Sequence, residues 1–204
     1  MGTLTPPLLM QPRALSIKTP TPYPRFNTDF NHDSDLIDWW DSAIGVWARV
    51  GNRLSNNTGA AWTNYRCPPT RLIPGGIILW ANYVVECDVE VVTENNLITN
   101  RAGILIRASA GVSAYMFALA NNGGVHQAEL DDWQVAVLAQ SAFAWVTGQI
   151  YRLKIQVIGT TINCFIDDVL VIGPVVDATR ISGRVGLTNY ETDSLWDNVD
   201  VYPI

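Results

Sequence analysis

The sequence predicts an all-β protein: a two-sheet antiparallel sandwich over residues 26–204, preceded by an extended proline-rich arm over residues 1–25. Three observations carry this. Short apolar segments alternate with period two, Gly, Asn and Asp clusters separate them, and no stretch keeps a helical period over three turns. Many short strands at close spacing build a sandwich, not an alternating α/β layer fold.

The arm comes first in the chain. Six of the chain's eleven prolines, at positions 6, 7, 12, 20, 22 and 24, fall before residue 25, and no acidic residue occurs until Asp29. Proline at this density favours extended or polyproline geometry over helix. Leu4, Leu8, Leu9, Met10, Leu15 and Ile17 are too apolar for a purely solvating tail, so the arm is expected to dock on a neighbouring subunit. Residues 35–41 could make one or two helical turns. Leu8-Leu9-Met10, interrupted by prolines, is too short for the core of a secretion signal, which weighs against a self-secreted lectin or glycanase.

The clearest strand is Val84-Val85-Glu86-Cys87-Asp88-Val89-Glu90-Val91. Alternation puts Val85, Cys87, Val89 and Val91 on one face and the three carboxylates on the other. Further strands are expected at 45–50, 102–108, 114–119, 125–130, 133–138, 151–158, 161–166, 169–172, 184–187 and 195–201. Asn121-Asn122-Gly123-Gly124, Gly159-Thr160, Asp167-Asp168 and Ser182-Gly183 supply turns. Trp47, Trp80, Trp145 and Trp196 sit within or beside apolar strands and read as core; Trp39, Trp40, Trp62 and Trp133 have more polar surroundings.

Composition narrows the function classes. A net charge of −6 with no arginine cluster argues against nucleic-acid binding. The longest apolar run, 75–92, is cut by Asn82, Glu86, Asp88 and Glu90, so no membrane span is expected. Cys67, Cys87 and Cys164 are an odd count without short spacing, which fits neither a disulfide framework nor a zinc site. Lysine occurs only at 18 and 154, against eleven arginines, a bias that suits contact surfaces and that genome base composition could equally produce.

Several segments together resemble the concanavalin A-like lectin/glucanase superfamily, especially its laminin G-like modules. These are Asn100-Arg101-Ala102-Gly103-Ile104-Leu105-Ile106-Arg107, Tyr115-Met116-Phe117-Ala118-Leu119 and Tyr151-Arg152-Leu153-Lys154-Ile155-Gln156-Val157. Thr161 to Asp167, Gly183-Arg184-Val185-Gly186-Leu187 and Leu195-Trp196-Asp197-Asn198-Val199-Asp200-Val201 continue the series to the C-terminus. The resemblance implies a concanavalin A-like jelly roll, a fold shared by lectins, glycanases, adhesion modules and virion proteins. Related modules sometimes hold calcium near the paired first and last strands, which makes Asp29 and Asp197 the calcium candidates; no other cofactor is expected. Arg107, ending an apolar strand, would take a carboxylate partner if buried. Asp197-Asn198 would bond backbone groups of a neighbouring loop.

Glu86-x-Asp88-x-Glu90 resembles the catalytic strand of the laminarinase and lichenase group, where Glu86 would be the nucleophile, Asp88 its neighbour and Glu90 the acid of a retaining β-glucanase. Val84-Val85 replace the tryptophan and acidic flanks of that motif, and acidic residues commonly occupy the outward face of an antiparallel strand. The residues therefore read as a decoy, and the chain as a non-catalytic module. His32 and His126 form no catalytic arrangement, and the sequon Asn56-Asn57-Thr58 carries no weight without secretion.

Two functions remain. One is a virion surface component of a bacteriophage, such as a capsid decoration or tail protein, which assembles with itself as a trimer through its arm and sandwich edges. The other is a lectin-like, extracellular carbohydrate-binding protein that takes cell-surface glycans at Trp133, Asp131, Asp132 and Tyr115. For this role Trp133 needs an exposed face on which a sugar can stack; closing the sandwich edge is the reading its surroundings favour over that one.

Overall fold

The computed structural model describes residues 26–31, 41–44, 47–56, 63–66, 81–109, 113–133 and 135–204. The arm, the expected helical turns at 35–40, Trp39, Trp40, Trp62, Trp80, Cys67 and His32 lie outside the described residues. In chain order the strands are β1 (Phe26–Thr28), β2 (Asp41–Ile44), β3 (Ala48–Val50), β4 (Arg53–Asn56), β5 (Thr63–Arg66), β6 (Tyr83–Glu94), β7 (Thr99–Ala108) and β8 (Tyr115–Asn122). Then follow β9 (Val125–Asp132), β10 (Ala136–Ala142), β11 (Ile150–Ile158), β12 (Thr161–Ile166), β13 (Val169–Val176), β14 (Arg184–Tyr190) and β15 (Thr192–Pro203).

They form two antiparallel sheets. The first runs β13-β12-β11-β6-β15-β4-β3, with β1 also on β15; the second runs β10-β9-β8-β7-β14-β5-β2. Alternation builds the core between them. On β11 Tyr151, Leu153, Ile155 and Val157 point inward, and on β6 Val85, Cys87, Val89 and Val91 meet Ile104, Ile106, Phe117 and Leu119 of the second sheet. Each such side chain contributes about 1.5–3 kcal/mol by leaving water. Cys87 and Cys164 are both buried free thiols, raised well above the ordinary thiol range by that burial. Trp145 and Trp196 are core as expected, the Trp145 indole N–H donating to the Ala120 carbonyl at 3.0 Å, while Trp47 is half-buried against Trp196.

The turn signals act as their chemistry requires. Asp167 and Asp168 both take positive φ between β12 and β13, the backbone of a two-residue hairpin whose twist suits the flanking strands. Gly103 is needed for another reason: a Cβ there would lie 2.1 Å from the Phe117 carbonyl oxygen, so only glycine lets β7 and β8 approach this closely. Pro174 is tolerated because β13 is an edge strand with a neighbour on one side only.

Some expectations are corrected. The strand expected at 133–138 begins at Ala136; Trp133 instead closes the end of β9, its N–H bonded to the Ala114 carbonyl at 2.9 Å. Asp41, expected in a helical turn, opens strand β2. Arg107 is buried without a carboxylate partner. Its guanidinium donates to the carbonyls of Arg180 (2.6 Å), Ala81 (2.8 Å) and Gly159, tying three chain segments together at one end of the sandwich. Backbone carbonyls can take the terminal N–H groups of a buried guanidinium because these fan out in a plane, while the Arg107 Nε is left without a hydrogen bond.

Candidate functional site

Both sheets carry an acidic strand on their outer face, and the two differ in chemistry. On the first sheet, Glu86, Asp88 and Glu90 do share one face of β6. Arg152 of β11 meets Glu86 at 3.2 Å and Asp88 at 3.0 Å, and Arg53 of β4 meets Glu90 at 2.5 Å. The Asn198 side chain adds a bond to Asp88 at 2.7 Å, and Arg152 donates to the Asn198 carbonyl. Asn198 thus bonds a neighbouring side chain, where a loop backbone was expected. The motif is a partly exposed lattice of ion pairs in which Glu86 and Asp88 share Arg152 and Glu90 pairs with Arg53.

The calcium candidates lie beside this lattice. β1 does pair with β15, and the Asp29 charge helps burial to raise the Asp197 carboxyl, so the two are neighbours. Asp29, however, accepts from the Asn31 backbone at 3.2 Å and from the Asn31 side chain, and Asp197 accepts from the Asn198 N–H at 2.8 Å near the Arg53 charge. Calcium takes six or more oxygens. Among the described residues no group of three or more His, Cys, Asp or Glu is gathered to hold a metal, and these do not fit the ion.

The second sheet is different. Alternation along β9 turns Gln127, Glu129 and Asp131 outward, yet all three are buried. Arg101 comes from β7, two strands away, and bonds Glu129 at 2.7 Å while standing 3.8 Å from Asp131. The Asn122 side chain donates to the other Glu129 oxygen and accepts from Arg101 at 3.1 Å; Gln127 donates to Glu129 at 3.1 Å and to Gln140 at 3.2 Å. Glu129 is thereby fully bonded at zero exposure. Asp131 is not. Its Oδ1 has no hydrogen-bond partner, and it is 6% exposed. Burial first, then the Glu129 charge, push its carboxyl up to about 7 against the pull of Arg101.

A cleft of about 480 Å³ opens at this network, lined by Thr99, Arg101, Asp131, Val135, Ala136, Val137 and Tyr190. It combines an aromatic ring, exposed valines, a guanidinium and a carboxyl, which is the mix of apolar surface and a few placed polar groups that small-ligand sites use.

Of the expected glycan contacts, only Asp131 lines this cleft. Asp132 points to the other side of β9 and is ion-paired with Arg180. The Tyr115 hydroxyl donates to Asp177 and accepts from the Arg180 N–H at 3.0 Å inside the sandwich end. Trp133, expected to offer a stacking face, is 3% exposed in a cluster with Leu105, Ala108, Ala114, Met116 and Ala118. These side chains are placed in the packing and offer a ligand no open surface. Sequence reasoning missed Arg101, Glu129 and Tyr190. A signal for Glu129 existed: Gln127-Ala128-Glu129-Leu130-Asp131 alternates just as 86–90 does. The sequon residue Asn56 is buried and bonded to Asn189 at 3.3 Å, which closes it to modification in the folded state.

Two packed antiparallel sheets with this strand order are a jelly-roll sandwich of the concanavalin A-like kind. The comparisons agree on the fold. The chain is similar to the carbohydrate binding module CBM66 from Bacillus subtilis, with a TM-score of 0.65 and 16% identity over 80% of this chain and 94% of that one. It is similar to a Bacillus subtilis protein of unknown function with a galectin-like fold, at TM-score 0.67 and 12% identity, covering 87% and 94%. An alginate lyase of polysaccharide lyase family 7 matches at TM-score 0.60 and 11% identity, covering 82% and 96%. No family model matches, and no curated protein does.

Proposed function

We propose that this protein is a carbohydrate-binding module and that its binding site is the cleft on the outer face of the second sheet. The observation that carries the reading is the cleft itself, where Tyr190, Val135 and Val137 offer apolar surface beside Arg101 and the unsatisfied Asp131. A pyranose presents an apolar face ringed by hydroxyls, and this lining matches both parts. Arg101 is held in place by Glu129 and Asn122, so little side-chain entropy is lost on binding. The similarity to a carbohydrate binding module and to a galectin-like protein supports the same direction by analogy of fold. A glycan array probed with the full chain tests it. Binding that falls about tenfold or more in Tyr190→Ala supports the cleft; an array with no binder contradicts the reading.

A second reading is assembly into a virion surface, with copies meeting through the arm and sandwich edges. Exposed apolar side chains on the edge strands favour it: Val169, Leu170 and Val176 on β13, and Val137 on β10. Sedimentation of the chain with and without residues 1–25 tests it; a monomer in both cases removes it.

A further inference from the structure

We propose that the sugar held in this cleft carries a free amine, with its ammonium seated against Asp131. The inference rests on the carbohydrate-binding reading and names the ligand class within it.

Two carboxylates, Glu129 and Asp131, project from one face of β9 toward a single guanidinium, Arg101. Glu129 takes that guanidinium at 2.7 Å together with the amides of Asn122 and Gln127. Asp131 is left with a 3.8 Å approach to Arg101, too long for a hydrogen bond, and with Oδ1 unbonded. A side chain this buried normally has its partner within the protein. Asp131 lines the cleft, so a partner for its carboxyl can enter from that side.

The charged groups that act on Asp131 among the described residues are Glu129, Arg101 and Asp132. Asp132 is matched by Arg180 on the opposite face of β9, so one negative charge at the cleft stays unmatched whenever Asp131 is ionised. Burial first and then the Glu129 charge push the carboxyl up to about 7, so near neutral pH it holds a proton where a cation is lacking. A neutral sugar could bond the Asp131 carboxyl through a hydroxyl but would leave the charge unmatched. An acidic sugar would bring a third carboxylate beside two that share one arginine. An ammonium supplies the positive charge and up to three donors, and such charge-assisted bonds are roughly twice as strong as neutral ones. Tyr190 and the valines then cover the sugar ring.

The test is titration calorimetry of the full chain with oligomers of glucosamine and of galactosamine, and with their N-acetylated counterparts, near neutral pH in two buffers of different ionisation heat. The proposal expects one of the amine-bearing oligomers to bind about tenfold or more tighter than its acetylated counterpart. Binding should release protons once those taken up by the sugar amine, measured from its own titration at the same pH, are subtracted, since the ammonium displaces the proton from Asp131. In Asp131→Asn, with its fold checked by circular dichroism, the preference and the proton release should both disappear. Acetylated or other neutral glycans binding as tightly as the amines would overturn the proposal and leave the carbohydrate-binding reading standing. An amine preference that persists unchanged in Asp131→Asn would also overturn it. No binding by any glycan, amine-bearing or not, would remove both.

Discussion

The outer faces of the two sheets carry the same local pattern, and we propose only one of them as a binding site. Glu86-x-Asp88-x-Glu90 on β6 and Gln127-x-Glu129-x-Asp131 on β9 both alternate with apolar residues, and both meet arginines from other strands of their sheet. On β6 three partly exposed carboxylates share Arg152 and Arg53, and each makes an ion pair at 3.2 Å or less. On β9 two buried carboxylates share one arginine, and one of them lines a cleft. Alternation says which face a residue takes. Whether that face is solvated, matched or left wanting a partner is decided by strands from elsewhere in the chain.

The sharpest break between the faces should come from removing their arginines. Arg101→Met strands the fully buried Glu129, and breaking a buried pair this way costs about 3–5 kcal/mol. Arg152→Met on the first sheet leaves partly solvated carboxylates and should cost about 1 kcal/mol. Denaturant unfolding of both variants measures the difference, and equal losses would erase the distinction.

Next in size is the pH dependence of Asp131. Its folded carboxyl is raised to about 7 from an ordinary value of 3.8, so the folded protein binds a proton that the unfolded chain releases between those values. The stability from this group is complete below the ordinary value and is lost as pH rises through about 7. Asp131→Asn should therefore flatten that slope and be more stable than the parent at alkaline pH, by a few kcal/mol at most at about 1.4 kcal/mol per pH unit. Melting temperatures across the range decide it; an unchanged slope would show that the charge is matched after all.

The smallest effect is expected from Glu86→Gln. Loss of one half-exposed ion pair should change stability by about 1 kcal/mol or less and leave glycan affinity unaltered. A large loss of affinity would make the β6 face the site.

The contrast also explains what could be read in advance. Strands, turns and the inward set Val85, Cys87, Val89 and Val91 were legible because period two is a local property. The Asp167-Asp168 hairpin was legible because two residues suffice to set it. Arg107 was recognised as needing a partner, but its partners are carbonyls of Ala81, Gly159 and Arg180, which no side-chain inventory can point to. Trp133 beside Asp131-Asp132 looked like a sugar platform because adjacency in sequence was the only proximity visible. In the fold, adjacent residues on a strand face opposite ways, so Asp131 and Asp132 part company. Trp133 shares the outward side of β9 with Asp131, yet it is packed into the cluster around Met116. Arg101 and Tyr190 reach the cleft from β7 and β14, which are neighbours in the sheet and far apart in the chain.

The central claim is that the ligand-binding face is that of β9 and not that of β6. Backbone amide shifts, followed by NMR as the tightest glycan is titrated in, report on it residue by residue. The account predicts that shifts gather on Thr99 to Arg101, Glu129 to Val137 and Tyr190, with Glu86 to Glu90 silent. Shifts centred on Glu86, Asp88 and Glu90 would contradict it.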